Sequence, residues 1–218
     1  MLIKESFKTA IAESGLELLH EGLTVGTWGN LSVKDPETGL IYIKPSGMPY
    51  KDITAEDVVV MDRDFRVIEG RRKPSVEFHL HISIMNARPD IFAIIHTHPI
   101  YSSVFGVLHE AIPAISEDFA QLVGDRALCC EYAMPGTPKL AGNVVEALGS
   151  RGKAVLIPNH GAVCVGKNLD EAKKVAAVVE KTAQVYLLAR SIGEPHVLSH
   201  EDVANMHAFF ENSYGQEK

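Results

Sequence analysis

Two hairpin signatures near the start of the chain restrict its architecture more than any other feature. Residues 31–34 and 40–43 are apolar segments flanking Asp35-Pro36-Glu37-Thr38-Gly39, and residues 58–61 and 65–68 flank Asp62-Arg63-Asp64. Strands joined by turns this short pair antiparallel, because parallel pairing needs a crossover of about a dozen residues or more. Further short apolar runs at 91–95, 127–130, 154–157 and 162–165 read as strands, the last two bracketing the tight turn Pro158-Asn159-His160-Gly161. Helical patterns lie between them. One covers residues 3–20, with apolar Ile3, Phe7, Ala10, Ile11, Leu18 and Leu19 and a stop at Gly22. Another is capped by Ser75 and closes before Pro89, a third follows Pro99 to Leu108, and a fourth opens at Thr137-Pro138. A long helix starts at Asn168 or Asp170 and runs to about Ile192, and a last one follows Ser199 towards Tyr214. Hairpins mixed with helices in this order predict an α/β sandwich whose sheet is mostly antiparallel.

The chain has 218 residues and no internal repeat or linker-like stretch, so one domain spanning 1–218 is expected. Twenty-one Lys and Arg against 28 Asp and Glu leave a net charge of −7, and the densest basic cluster is Arg71-Arg72-Lys73. Nucleic acid and anionic membranes are therefore not expected as partners, since neutralising phosphates takes many cations on one surface. A small anion remains compatible, because backbone N–H groups can hold it. Cys129, Cys130 and Cys164 are odd in number, sit in apolar segments and lack CxxC spacing, which suits reduced thiols. The first residues carry Lys4, Glu5 and Lys8 and lack a signal-like apolar core, and no apolar run approaches the roughly 18–20 residues of a membrane span. A cytoplasmic location is expected.

Ten histidines in an acidic chain raise the question of a metal. In Ile94-Ile95-His96-Thr97-His98-Pro99 an apolar strand delivers two imidazoles at i and i+2, on one side of an extended chain. His160 sits in Asn159-His160-Gly161, at the tip between two apolar strands, where it can project beside a sheet end. Together the three form a His₃ set with a position to spare, the arrangement of a catalytic rather than a structural Zn²⁺ site. Glu77, at the start of a capped helix, is the natural carboxylate beside it, although acids favour a first helical turn in any case. His79 and His81 compete as ligands. His81 shares a helix face with Glu77 at i+4 and is not excluded by sequence, but both are read as structural. Two turns suit an anion: Gly26-Thr27-Trp28-Gly29-Asn30-Leu31-Ser32 and Lys44-Pro45-Ser46-Gly47 combine glycines with hydroxyl and amide side chains. Taken alone each is equally an ordinary hairpin turn. Ser75 either joins the same anion or simply caps its helix.

GTWGNLS, KPSG, KPSVE, HTHP and NHG, in this order and separation, resemble the class II aldolase/adducin family over nearly the whole chain. The resemblance implies a three-layer α/β/α sandwich and a Zn²⁺-dependent enzyme, with one ion per subunit and other divalent ions also suited to such donors. It implies a homotetramer with sites at subunit boundaries and a small phosphorylated sugar as substrate. Carried over by motif, His96, His98, His160 and Glu77 would be the metal ligands, with Glu77 also the acid/base. Thr27, Gly29, Asn30, Ser46, Gly47 and Ser75 would hold or shape the phosphate site, and Tyr214 would act as an acid reaching a neighbouring subunit's site. The reaction implied is reversible cleavage of a ketose phosphate to dihydroxyacetone phosphate and an aldehyde through a metal-stabilised enediolate. The same family holds sugar-phosphate epimerases, a dehydratase and decarboxylases as alternatives, and adducin itself is a binding module without this chemistry. The epimerase branch carries Asp where this chain has Glu77. Two departures bear on specificity: Val76 stands where the aldolase branch it resembles has a second serine, and residues 116–119 lack that branch's tyrosine.

Overall fold

The computed structural model describes residues 2–213. One sheet of nine strands runs through them: β1 (Asn30–Lys34), β2 (Ile41–Ile43), β3 (Val59–Met61), β4 (Val67–Glu69), β5 (Ala93–Thr97), β6 (Ile112–Pro113), β7 (Arg126–Cys129), β8 (Ala154–Ile157) and β9 (Gly161–Gly166). Their spatial order is β4-β3-β2-β1-β5-β9-β8-β7-β6, and only β7 and β8 pair parallel. The helices are α1 (Glu5–His20), α2 (Phe78–Ala87), α3 (Ile100–Leu108), α4 (Glu117–Leu122), α5 (Pro138–Leu148), α6 (Leu169–Ile192) and α7 (His200–Ser213). Among the described residues no helix is long and apolar enough to cross a membrane.

Two apolar clusters, one on each face of the sheet, make this a three-layer sandwich. Ala93 and Ile95 of β5, Ala162 and Cys164 of β9 and Tyr42 of β2 pack towards α1, α3 and α6. Ile94, Val163, Val165, Ile41 and Ile43, the intervening residues, pack towards α2 and α5. Successive side chains point to opposite faces. Strands covered on both faces need apolar residues at every position, which is why these segments read as continuous hydrophobic runs.

The expected helix positions hold, and the boundaries shift for local reasons. The return strand of the second hairpin begins at Val67 because Asp62 Oδ1 accepts from Asp64 N–H and Arg66 N–H, widening the turn, with Phe65 at φ 66° inside it. Strand β5 extends to Thr97, so His96 lies inside the sheet. Helix α2 begins at Phe78 with Glu77 in the cap position; Ser75 Oγ instead accepts from Glu77 N–H at 3.3 Å. Strand β6 and helix α4 are too short to leave a periodic signal and were not expected.

Two contacts tie distant loops to one another at the end of the sheet where β1 begins. Ser46 N–H donates to Lys73 C=O (2.9 Å) and Ser75 N–H to Lys44 C=O (3.0 Å), so the KPSG and KPSVE segments lie side by side. The residues leading into the second segment are anchored by buried Asp57, which accepts from Arg72 Nε at 2.9 Å, Arg71 at 3.3 Å and the Thr54 N–H and hydroxyl. Burial alone would raise the Asp57 carboxyl, but the hydrogen bonds from Arg72, Thr54 and Arg71 outweigh it and hold it down at about 2. Its folded pKa is below its unfolded one. Its contribution to stability is therefore complete above about pH 4 and is lost as pH falls through about 2. The prediction is that Asp57→Asn is less stable than the parent at pH 6 and that the gap narrows between about pH 4 and 2. Urea midpoints of both proteins at a series of pH values measure it, and a gap independent of pH would remove Asp57 as the anchor.

Candidate functional site

Three strand ends meet at the centre of the sheet. Strand β5 runs antiparallel to both neighbours, so its last residues lie beside the first residues of β1 and β9: Asn30 is opposite His96, and Ala162 is opposite Thr97. His96 has the same parity as Ile94 and points to the α2 side. His98 follows just past the strand, and His160 projects from the β8–β9 turn. Asn159 in that turn, at φ 55°, donates its N–H to the Gly106 carbonyl of α3. Glu77 opens α2 directly over the same point.

The imidazoles converge. His96 Nε2 lies 2.9 Å from His98 Nε2 and 3.2 Å from His160 Nε2. Ring centroids are 4.7 Å apart in all three pairs, with interplanar angles of 64°, 78° and 82°. His96 Nδ1 is 2.9 Å from the Ala162 carbonyl, so Nδ1 carries the proton and Nε2 offers a lone pair. The Glu77 carboxylate straddles the group, with Oε2 3.2 Å from His96 Nε2 and Oε1 3.7 Å from His160 Nε2. Burial, reinforced by the neighbouring imidazoles, pushes His98 down to about 3. Burial followed by His96 pushes His160 down to about 4, so both are neutral near pH 7. Burial would raise Glu77, but His96, His160 and the hydrogen bond from Asn30 outweigh it and keep the carboxyl below its ordinary value.

This donor set fits a divalent metal. One lone pair on His96 cannot serve two further N–H donors well, whereas a single cation satisfies all three nitrogens together. Glu77 Oε1 is buried and has no hydrogen-bond partner among the described residues, so an acceptor is left over at the same point. His96, His98 and His160 are the one group of metal-capable side chains found among the described residues. Neutral imidazoles with one carboxylate suit Zn²⁺ and related ions, and they leave the cation most of its charge.

A cavity of about 280 Å³ opens on this cluster. Its lining includes Thr27, Gly29, Asn30, Ser46, Gly47 and Ser75, together with Glu77, His98 and His160, while His96 is fully buried behind them. The expected anion residues are thus brought together, with one qualification. The Asn30 side chain is engaged inside the protein: Nδ2 donates to Glu77 Oε2 at 2.8 Å, and Oδ1 accepts from His81. Val76 lines the cavity beside Ser75 and is exposed. Residues 116–119 do not line it: Phe119 is buried in the α6-side core, and Ser116 donates to Asp118. Tyr214 lies outside the described residues. His79 packs at a tilt against the rings of Phe78 and Phe65.

Two lining features were not anticipated. Lys44 is 1% exposed, donates to the Thr27 and Pro45 carbonyls at 3.3 and 3.2 Å and sits 4.7 Å over the Tyr50 ring. Burial pushes it down to about 8. Its signal was present in sequence, as the cation that opens the KPSG turn. Trp28 and Pro135 complete the apolar rim.

The family model described as Class II Aldolase and Adducin N-terminal domain matches residues 9–187. The chain belongs to this family. It is 38% identical over 217 residues, covering all of both chains, to the 5-deoxy-D-ribulose 1-phosphate aldolase of Bacillus thuringiensis serovar kurstaki. To the L-fuculose phosphate aldolase of Escherichia coli K12 it is 36% identical, with 89% of each chain covered. A solved L-fuculose 1-phosphate aldolase superposes with a TM-score of 0.93 at 38% identity, covering 96% of this chain and 98% of that one. Within the family the chain stands with the class II aldolases, which are lyases.

The close approach of β5 and β9 that aims the imidazoles depends on Gly161, where an added Cβ would lie 2.1 Å from the Thr97 carbonyl oxygen and 2.9 Å from His98 Cδ2. Gly142, inside α5, has nothing within 4 Å. Gly161→Ala is expected to cost about 1–3 kcal/mol and to reduce retention of a divalent metal, whereas Gly142→Ala should gain up to about 1 kcal/mol with metal content unchanged. Thermal melts and metal analysis read both, and a tolerated Gly161→Ala would refute the steric argument.

Proposed function

We propose that the protein is a Zn²⁺-dependent aldolase that reversibly cleaves a deoxyketose 1-phosphate of the L-fuculose 1-phosphate or 5-deoxy-D-ribulose 1-phosphate kind. The products are dihydroxyacetone phosphate and a short aldehyde. The observation that carries this reading is the convergence of three imidazole nitrogens and one buried carboxylate on the floor of a cavity walled by two anion-type turns. In both candidate substrates the bond between C3 and C4 breaks, its electron pair passing towards the C2 carbonyl as C4 becomes the aldehyde carbon. A divalent ion held by His96, His98 and His160 would supply Lewis-acid stabilisation for the negative charge that develops on the C2 and C3 oxygens.

The remaining roles belong to the chain. Glu77 completes the donor set at rest; freed by the arriving sugar, its carboxylate carries the proton that C3 gains on cleavage and loses on condensation. Thr27, Gly29, Ser46, Gly47 and Ser75 present backbone and hydroxyl donors to the phosphate, Asn30 adds its second amide hydrogen, and Lys44 adds positive charge below them. Such contacts are remote from the breaking bond and orient the substrate. Tyr214 of a neighbouring subunit is proposed to handle the proton on the C4 oxygen. A homotetramer is part of this proposal. Val185, Leu188 and Ile192 follow one another at helical spacing on α6 and are exposed, as are Ile100 and Leu108 on α3, which offers apolar surface for assembly.

Metal-loaded protein incubated with either sugar phosphate should release dihydroxyacetone phosphate, measured by a coupled reductase assay. Chelation should abolish the release and Zn²⁺ should restore it. His96→Ala should lose both bound metal and turnover. Glu77→Gln should stay folded and lose about 10²–10⁴-fold in proton exchange at C3 of dihydroxyacetone phosphate. Cleavage of neither sugar by metal-loaded protein would reject the reading.

A further inference from the structure

A buried polar chain links Glu77 and Asn30 to two side chains, His81 and Ser32, that the proposed reaction does not use directly. Ser32 Oγ lies 2.6 Å from His81 Nδ1, His81 Nε2 contacts Asn30 Oδ1, and Asn30 Nδ2 donates to Glu77 Oε2 at 2.8 Å. Ser32 and His81 are fully buried, and Asn30 and Glu77 are 4% and 5% exposed.

We propose that His81 is a positioning residue that orients the Glu77 carboxylate through the Asn30 side chain. The argument starts from the carboxylate, which can only accept. Its neighbour must therefore be the Asn30 NH₂ group, and this leaves Asn30 Oδ1 facing His81. An oxygen there requires a donor, so His81 carries its proton on Nε2, and Nδ1 is left as the acceptor for the Ser32 hydroxyl. Every hydrogen bond in the chain then runs in one direction, from β1 through α2 and back through β1 to the carboxylate. A reversed Asn30 amide would set its oxygen against Glu77, and His81 in its Nε2–H form prevents that reversal. Burial pushes His81 down to about 3, so it remains the neutral donor across the physiological range. The geometry also explains why Glu77 and His81 sit one helical turn apart without touching through their side chains: Asn30, from the neighbouring strand, closes the gap between them. Glu77 is thereby held by Oε2, while Oε1 faces His160 with no hydrogen-bond partner among the described residues.

The role assigned to Glu77 rests on the reading above, so the test has one arm that does not depend on it. In the first arm, NMR measures hydrogen exchange of the Asn30 side-chain amide in the parent, in His81→Phe and in His81→Gln, whose side-chain NH₂ can replace the Nε2–H donor. Exchange should be slow in the parent, faster in His81→Phe and slow again in His81→Gln. In the second arm, on metal-loaded protein, His81→Phe should lower kcat about 10²-fold with KM within about twofold of the parent, and His81→Gln should recover most of it. An Asn30 amide as protected in His81→Phe as in the parent would overturn the proposal. So would a kcat loss that His81→Gln does not repair, or one matched by an equal rise in KM. If His81→Phe does not fold, Ser32→Ala takes its place: removing the donor to Nδ1 should speed Asn30 exchange, and parent-like exchange would overturn the ordering. A parent inactive on both sugars rejects the aldolase reading, while the exchange arm still decides whether His81 holds Asn30.

Discussion

Antiparallel pairing of β5 with both β1 and β9 is the constraint on which the site depends. In a parallel arrangement the three strands would begin at one end of the sheet and finish at the other, leaving Asn30 and Gly161 at one end and His96 at the opposite one. Antiparallel registers place the start of two strands beside the end of the third, so residues far apart in sequence share one rim. The apolar alternation that buries Ile94 and Val163 on one face and Ile95 and Cys164 on the other fixes the register, since a slip by one residue would turn His96 away from α2. Core packing and ligand geometry are therefore specified by the same pattern.

Concentrating imidazoles and a carboxylate in a largely buried pocket is costly unless each polar atom has a defined partner. The fold meets that demand in layers for most of them, leaving Glu77 Oε1 and His160 Nδ1 without a hydrogen-bond partner among the described residues. The Ala162 carbonyl fixes the His96 ring, and the Gly106 carbonyl holds the turn that carries His160. Asn30, His81 and Ser32 brace the carboxylate. Glycine makes these approaches sterically open: at Gly29, at φ 75°, a Cβ would lie 2.7 Å from the His96 carbonyl oxygen. The glycines of GTWGN and NHG thus serve the spacing of strands as much as any bound anion.

Much of this was legible before the chain was folded, because hairpin turns, strand runs and helix stops are local. The pairing of His96 with His98 follows from strand periodicity, whereas their meeting with His160 required β5 and β9 to be antiparallel neighbours in one sheet. What stayed hidden depends on choices of partner made across the fold. Ser75 reads as a helix cap, yet the chain enters α2 two residues later because the KPSG and KPSVE segments are hydrogen-bonded to each other. Asn30 reads as a free anion donor, yet one of its donor hydrogens and its acceptor are engaged by Glu77 and His81. Lys44 reads only as the first residue of the KPSG turn, yet Tyr50 and two carbonyls enclose it. Residues 116–119 looked like part of the specificity region by resemblance, and a short helix with Phe119 as its core anchor carries them elsewhere within the chain.

The division of labour this creates bears on how such a fold can change its substrate. Of the candidate metal donors, His96 sits in a central strand whose every position is buried, while His98 and His160 lie just past that strand and in the adjoining β8–β9 turn. The carboxylate is braced by a chain of buried hydrogen bonds, so substitutions there disturb packing and chemistry together. The rim is different. Trp28 and Val76 are exposed, lie on loops and contribute little to either apolar cluster. Val76 places an apolar, exposed side chain next to Ser75 in the cavity wall, so a change there alters the wall without disturbing either apolar cluster. Under the proposed function, the candidate metal centre is therefore tied to the packing of the sheet, while the rim of the cavity can vary at little cost to the fold.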